Sequence, residues 1–190
     1  MTNIIVQNLL KLNLGCWDRP LPTMNGWINI DRVYVPGVDL VEDSRYLRSI
    51  KNGSVDVIYA SHILDQFMKW EYQSALKRWH EVLKEHGELY ISVPDFEMIA
   101  RWYRKTGKLE DLQGLLHGGQ DHAGWVRYRS WDYNTLEMDL MDAGFPSGGI
   151  QRYDWQHTEF AVRDDYSQAY LPHMDTKNGL LMSLNVKAIK

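Results

Sequence analysis

A short apolar run that ends in a glycine turn, followed by a second apolar run that ends in a carboxylate, constrains this chain more than any other feature. Residues 11–17 read Lys-Leu-Asn-Leu-Gly-Cys-Trp, and Asp31 follows sixteen residues after Gly15. In a parallel sheet this pattern puts a glycine loop that can approach a ligand closely beside an acid that can bind two ribose hydroxyls. Such loops usually carry a second glycine two positions later, where this chain has Trp17.

The order of the apolar runs predicts an α/β fold with a parallel sheet covered on both faces. Short runs rich in Val and Ile predict strands at 12–16, 27–33, 38–41, 55–60, 88–93, 148–154 and 181–188. Helices are predicted over 71–86, 95–106 and 135–143, the first with Gly87 as its C-terminal cap. Asp43 is a candidate N-cap for a shorter helix that turns Tyr46, Leu47 and Ile50 inward.

The link between the first two strands departs from the usual strand–helix–strand unit. It is about ten residues long and includes Pro20, Pro22 and Gly26. Because proline removes a backbone donor and clashes inside a helix, no crossover helix is expected here. The anionic end of a ligand would then not meet a helix N-terminus, and loop amides or Arg19 would have to bind it instead.

Size, charge and cysteine content exclude several classes of protein. With 190 residues the chain is long enough for one domain with a sizeable core. A formal net charge of -4 and a pI of about 6.0 argue against sequence-independent binding to nucleic acid. There is neither an apolar run of about 18 residues nor a signal-peptide pattern, so we expect a cytoplasmic protein without a membrane span. The single cysteine, Cys16, excludes an intrachain disulfide and a cysteine zinc cluster.

Four sequence blocks follow one another along the first half of the chain. They are Leu-Asn-Leu-Gly-Cys at 12–16, Gly-Trp-Ile-Asn-Ile-Asp at 26–31, Ser-Val-Asp-Val-Ile-Tyr-Ala-Ser-His-Ile-Leu at 54–64 and Glu-Val-Leu-Lys-Glu-His-Gly-Glu-Leu-Tyr-Ile-Ser-Val-Pro at 81–94. Together they resemble the class I S-adenosylmethionine (SAM)-dependent methyltransferases, of the small group described in bacteria and phages. The resemblance implies a Rossmann-like, doubly wound sheet of seven mostly parallel strands with an antiparallel C-terminal strand.

The resemblance also implies a function for the whole chain. It implies one SAM-dependent methyltransferase domain over 1–190, with a SAM-binding half at 11–95 and substrate-side helices and loops at 96–180. The expected reaction is methyl transfer from SAM to a small-molecule acceptor, with a sugar or metabolite hydroxyl as the first candidate. Two alternatives stay open: a non-catalytic module that binds SAM or a nucleoside, which Trp17 favours, and another transferase on the same fold, such as an aminopropyl transferase.

The resemblance implies candidate SAM contacts at the ends of four strands. They are grouped by strand end: Asn13, Gly15, Cys16 and Trp17 after the first, Asp31 after the second, Asp43 and Ser44 after the third, and Ser61 and His62 after the fourth. The resemblance implies that Asp31 binds the ribose and that Asp43 binds the adenine, although Asp43 is an equally good helix N-cap. Trp17 either turns outward as a wall of the cleft or fills the space and weakens SAM binding. Cys16 is expected to be a small packed residue, because no basic group stands nearby to activate its thiol.

The block His-Gly-Gly-Gln-Asp-His at 117–122 is the substrate-side candidate. Histidine can deprotonate a hydroxyl near neutral pH, so the predicted catalytic bases are His117, His122 and His62, in that order. A structural glycine-rich loop and a metal site built from His117, Asp121 and His122 are the alternatives. The spacing matches no common zinc signature, so no metal is predicted.

Further residues in the second half leave alternatives open. Trp125, Tyr128 and Trp131 are candidates to line an acceptor pocket. The basic residues Arg101, Arg104, Lys105 and Lys108 either meet a phosphorylated acceptor or form a solvated helix face. The aromatic-rich stretch from 155 to 170 either covers the cleft or contacts a second copy of the chain in a homodimer.

Overall fold

A seven-stranded sheet organises the computed structural model, which describes residues 9–120, 125–162 and 164–190. The strands are β1 (Lys11–Leu14), β2 (Trp27–Asp31), β3 (Leu40–Val41), β4 (Val55–Ser61), β5 (Leu83–Pro94), β6 (Ile150–Arg152), β7 (Tyr170–Leu171), β8 (Leu180–Leu181) and β9 (Ser183–Ile189). The order across the sheet is β3-β2-β1-β4-β5-β9-β6, while β7 and β8 form a separate pair. In the main sheet β9 pairs antiparallel with both β5 and β6, and all other pairs are parallel. The predicted fold class is therefore confirmed.

Four α-helices accompany the sheet in the described part of the chain. They are α1 (Lys69–Val82), α2 (Phe96–Thr106), α3 (Gln113–His117) and α4 (Tyr133–Asp142). The apolar side of α1 is buried as its periodicity predicts, and Trp79 is fully covered. Asp95 accepts hydrogen bonds from the amides of Glu97 and Met98 and so begins α2. None of the described helices combines the length and the apolar character that a membrane span requires.

Two predicted helix features are wrong. Helix α1 ends at Val82, and the next residues enter β5 instead of a Gly87 cap, because Leu83 already pairs with Val55 of β4. The short helix predicted after Asp43 is replaced by turns. Its backbone breaks at Leu47, whose φ of +42° no right-handed helix accommodates.

Because of those turns, the Tyr46 ring does not turn inward as the sequence predicted. Leu47 is fully buried and Tyr46 is 46% exposed, so only one of the two points into the core. The Trp79 indole donates a hydrogen bond to the Ser44 carbonyl at 2.8 Å and ties the turns to α1. The segment between β3 and β4 is therefore held by packing and one buried hydrogen bond, without a helix of its own.

The link between β1 and β2 contains no α-helix, as its prolines predict. Its one regular element is a 3-10 turn at Thr23–Asn25, which follows directly on Pro22. Gly26 ends that turn with a φ of +84°, and a Cβ on it would lie 2.7 Å from the Leu9 carbonyl oxygen. The link therefore has to be positioned by groups outside itself.

The side chain of Asn29 on β2 does this positioning. Its Oδ1 accepts from the Leu21 amide at 2.7 Å and from Asn13 Nδ2 at 2.9 Å. Its Nδ2 donates to the Leu21 carbonyl and to Asp39 Oδ2, both at 2.9 Å. Asn29 is fully buried, so the four bonds use its whole hydrogen-bonding capacity out of contact with water.

We expect Asn29→Ala to lower the free energy of unfolding by about 2–4 kcal/mol, because it strands buried donors and acceptors on Leu21 and Asn13. Urea denaturation followed by circular dichroism measures this change. Asn25→Ala is the matched control, because Asn25 is exposed in the same link. This substitution should change the free energy of unfolding by no more than about 0.5 kcal/mol. Equal effects of the two substitutions would contradict the positioning role.

Candidate active site

A cleft of about 610 Å³ opens at the carboxyl ends of the central strands. It lies where the strand order reverses between β1 and β4, the position at which open α/β sheets bind ligands. All nine residues predicted to contact SAM border it: Asn13, Gly15, Cys16, Trp17, Asp31, Asp43, Ser44, Ser61 and His62. The fold thus gathers the four strand-end blocks into one concave surface.

Asp31 is held at the end of β2 by two backbone amides. Its Oδ2 accepts from the Trp17 amide at 2.9 Å, and its Oδ1 accepts from the Val33 amide at 3.0 Å. A carboxylate oxygen has about two acceptor positions, so each oxygen keeps one for a ligand. The carboxylate is therefore oriented in advance, with one acceptor left on each oxygen for a pair of neighbouring hydroxyls.

Gly15 is required by the turn for a reason the sequence did not reveal. Its φ is +66°, and a Cβ at this position would lie 2.7 Å from Cγ1 of Ile63. The close neighbour is thus a protein side chain that follows β4, so the turn itself requires glycine at this position. Its amide donates to the Ile30 carbonyl at 2.8 Å, which fastens the turn to β2.

Cys16 is a packed residue and Trp17 is a rim residue. Burial, together with the charge of Asp31, raises the pKa of the Cys16 thiol to about 12, so the thiol stays neutral near pH 7. Trp17 has a φ of +41° and is 45% exposed, so its ring forms part of the cleft wall and leaves the interior open. A left-handed φ is costly for tryptophan, and the hydrogen bond from its amide to Asp31 helps to hold it.

Asp43 binds an arginine and does not cap a helix. Arg45 donates to both of its carboxylate oxygens, through Nε at 2.9 Å and Nη2 at 2.6 Å, and also pairs with Glu71. Burial by itself raises the pKa of Asp43, but the hydrogen bonds and charge of Arg45 outweigh it, so the pKa lies below its ordinary value. Asp43 is therefore a fixed carboxylate on the β3 side of the cleft.

His62 follows β4 and has both ring nitrogens engaged. Its Nδ1 lies 3.2 Å from Nη1 of Arg127, which can only donate, so Nε2 carries the proton toward the Ser183 hydroxyl at 3.1 Å. Burial lowers the pKa of His62 well below its ordinary value, and the charge of Arg127 adds to the effect. In this arrangement His62 is a neutral structural group without a lone pair for a substrate proton.

Arg127 and Asp165 also border the cleft, and sequence reasoning missed both. Arg127 forms an ion pair with Asp65, and the two side chains are 6% and 0% exposed. Asp165 accepts from the hydroxyls of Tyr59 and Ser167, and burial raises its pKa. The only signal in the sequence was weak, since each charged residue stands next to aromatic residues in a stretch without regular structure.

The other predicted substrate-side residues lie in different places. His117 ends α3 with an exposed side chain and is not among the residues that border the cleft, although its carbonyl accepts from the Arg127 amide at 3.1 Å. Asp121 and His122 lie outside the described residues. Trp125 and Tyr128 border the cleft, whereas Trp131 is fully buried and donates to Asp139. No group of three or more His, Cys, Asp or Glu residues that could hold a metal occurs in the described ranges.

The two surface features are also located. Arg101, Arg104, Lys105 and Lys108 are exposed on or just beyond α2, away from the cleft. The stretch after 155 packs on the sheet of its own chain, where the Phe160 ring stacks on Tyr59 with centroids 4.1 Å apart. The same stretch then brings Asp165 and Tyr166 to the edge of the cleft.

Comparison with known proteins relates this architecture to a fold family. No family model matches the chain, and no curated protein matches it in sequence. A SAM-dependent methyltransferase from Methanosarcina mazei is 17% identical, with a TM-score of 0.58 over 100% of this chain and 96% of that chain. One from Mesorhizobium loti is 16% identical, with a TM-score of 0.59 over 96% of this chain and 91% of that chain.

A third solved structure was determined with ligands. It is a 1,6-didemethyltoxoflavin-N1-methyltransferase from Burkholderia thailandensis with bound 1,6-didemethyltoxoflavin and S-adenosylhomocysteine. It is 16% identical, with a TM-score of 0.55 over 95% of this chain and 70% of that chain. The strand order, the single antiparallel strand and these likenesses agree: the chain has the fold of the class I SAM-dependent methyltransferases.

Proposed function

We propose that this chain binds SAM in the cleft and transfers its methyl group to a small-molecule acceptor. The observation that carries the proposal is Asp31, whose two oxygens each keep one acceptor beside the β1 turn. The cleft volume of about 610 Å³ lies within the roughly 300–1,000 Å³ of small-molecule sites. The Burkholderia thailandensis neighbour of the same fold holds S-adenosylhomocysteine, which further supports the choice of ligand.

The residues that border the cleft suit the separate parts of SAM. Asp31 would bind the ribose, and Asp43 with the Ser44 peptide would face the adenine, because β3 is the strand next to β2. The ends of β1 and β4 would then receive the methionine part. When bound, SAM supplies an electrophilic methyl group on a sulfonium. The protein's share is to align the acceptor with that group and to exclude water.

The rim of the cleft supports a small acceptor with apolar faces, such as a sugar or another metabolite with a hydroxyl group. Trp17, Trp125, Tyr128 and Tyr166 all border it, and aromatic rings bind one apolar face while leaving polar groups in water. The chain's acidic balance favours action on a metabolite over action on nucleic acid.

A second candidate is a non-catalytic module that binds SAM or a nucleoside. The specific observation in its favour is the state of His62, which is neutral and bonded through both nitrogens. Methyl transfer to a hydroxyl acceptor gains about 10²–10⁴-fold in rate from a base. Without a base, the site would still bind SAM, but methyl transfer would be slow. Formation of S-adenosylhomocysteine separates the two functions, because a binding module produces none.

We expect calorimetry to detect SAM and S-adenosylhomocysteine with Kd values on the order of micromolar, and Asp31→Ala to abolish binding. Asp31→Asn keeps the shape but loses the charge, and should weaken binding by about 10–100-fold. Asp142→Ala is the control, because Asp142 is exposed at the end of α4 and should bind like the unaltered protein. Absence of binding by the unaltered protein would contradict the proposal.

Two of the bases predicted from the sequence, His117 and His122, remain predictions with a direct test. SAM and a panel of monosaccharides are incubated with the protein, and S-adenosylhomocysteine is quantified. If His117 is the base, His117→Ala should lower turnover by about 10²–10⁴-fold with SAM affinity unchanged. Unchanged turnover would remove His117 from the mechanism, and His122→Ala is tested in the same way.

A further inference from the structure

Three polar side chains of the cleft carry hydrogen-bonding groups that the rest of the described chain does not use. They belong to Gln66, Tyr128 and Tyr166, which all border the cleft. Within the described residues, Oε1 of Gln66 and the two tyrosine hydroxyls have no hydrogen-bond partner. These three groups can therefore form hydrogen bonds with a ligand without breaking contacts inside the protein.

All three side chains gather at the segment that follows β4. Nε2 of Gln66 donates to the His62 carbonyl at 2.8 Å, and the Tyr128 amide donates to the Asp65 carbonyl at 2.7 Å. The Tyr166 ring meets the His62 ring edge-on, with centroids 6.0 Å apart. The end of β4 is where the methionine part of SAM, and with it the methyl group, would lie.

We infer that Gln66, Tyr128 and Tyr166 bind the methyl acceptor, and that this acceptor is a neutral ring with several hydroxyl groups, such as a sugar. The inference rests on the proposed function. It deepens that function by naming the side chains that recognise the acceptor and the chemical class that they select.

Gln66 presents a fixed hydrogen-bond acceptor to the cleft. A backbone carbonyl can only accept, so the contact with His62 fixes the NH₂ group of the Gln66 amide on that side. Oε1 therefore faces away from His62, and an amide oxygen can only accept. Its ligand has to supply an O–H or N–H donor, which a sugar hydroxyl does.

Tyr166 is held at the cleft on a strained backbone. Its φ of +72° is left-handed, which is costly for a bulky side chain and is found most often at functional sites. Its carbonyl accepts from the Ala169 amide at 3.0 Å, and the preceding Asp165 is bonded to Tyr59 and Ser167. The surrounding contacts thus fix a half-exposed ring whose hydroxyl contributes nothing to the fold.

Tyr128 is fixed through its backbone and its neighbour. The preceding residue, Arg127, forms an ion pair with the fully buried Asp65, whose carbonyl also accepts from the Tyr128 amide. The Tyr128 side chain itself is 53% exposed, so its hydroxyl is accessible. Each tyrosine therefore follows a charged residue that anchors its segment to the inside of the protein.

The engagement of those charged residues favours a neutral acceptor. Arg127 is paired with Asp65, and the Asp165 carboxylate accepts from Tyr59 and Ser167. A charged acceptor at this end of the cleft would have to compete with these contacts.

The three polar groups also favour several hydroxyls over an apolar ring. An apolar acceptor would cover Gln66, Tyr128 and Tyr166 and leave their polar atoms without partners, and sites built to bind a hydroxyl reject analogues that lack it. The tyrosine rings can at the same time cover the apolar face of a sugar. One arrangement thus satisfies both parts of each tyrosine.

Ligand-observed NMR in the presence of saturating S-adenosylhomocysteine tests the inference. The probes are D-glucose, D-galactose, D-mannose and myo-inositol, with cyclohexanol as the ring that carries a single hydroxyl. We expect at least one of the four polyols to bind with a Kd on the order of millimolar, and cyclohexanol to bind about tenfold more weakly or not at all.

Conservative variants separate the hydroxyls from the rings. Tyr128→Phe and Tyr166→Phe should each weaken binding of that polyol by about 2–10-fold, because each removes one hydrogen bond and keeps the ring. Gln66→Met should do the same, and thermal unfolding verifies that it is folded. Tyr103→Phe is the matched control, because Tyr103 is 48% exposed on α2 and does not border the cleft.

The affinity for S-adenosylhomocysteine distinguishes this inference from the proposed function. Calorimetry should give the same Kd, within about twofold, for the unaltered protein and the two Phe variants. If the unaltered protein binds S-adenosylhomocysteine but none of the polyols, or binds cyclohexanol equally well, only the inference is overturned. Polyol binding that neither Phe variant weakens would overturn it as well. If the unaltered protein does not bind S-adenosylhomocysteine, the proposed function itself is wrong.

Discussion

The buried amide of Asn29 positions the part of the cleft that has no secondary structure of its own. A strand–helix–strand unit normally fixes the loop after its first strand by packing the helix on the sheet. Here the prolines of the β1–β2 link remove that helix, and four hydrogen bonds from one side chain take its place. The turn at Gly15, the rim position of Trp17 and the orientation of Asp31 all depend on where that link lies.

A second buried network connects the sheet to the two irregular segments that border the cleft, one around Arg127 and the other around Asp165. Its contacts run from Tyr59 through Asp165, Ser167, Asn185, Ser183 and His62 to Arg127 and Asp65. Because each polar group here is buried, an unmade hydrogen bond would cost about 1–3 kcal/mol, which favours a single arrangement. One oxygen of Asp65 has no partner among the described residues, and burial raises the pKa of this carboxyl despite the charge of Arg127.

The sequence predicted the scaffold better than the chemistry of its second half. The strands, the sheet and α1 carry strong periodic patterns, and the prolines correctly excluded a helix after β1. The error at Asp43 has a local cause: the carboxylate that was expected to cap a helix binds Arg45, and Leu47 adopts a left-handed φ. Local propensity could not show this, because Arg45 is also held by Glu71, which belongs to α1.

By itself, the sequence determined the glycine turn, the acid sixteen residues beyond it and the order of strands that brings both to one sheet edge. These features depend on neighbouring residues and on backbone conformation, which a local pattern records. Only the tertiary structure decided that Arg127 meets Asp65 across 62 residues and that Asp165 meets Ser61 across 104. Such pairs are set by the packing of irregular segments on the sheet, and no periodicity in the chain encodes them.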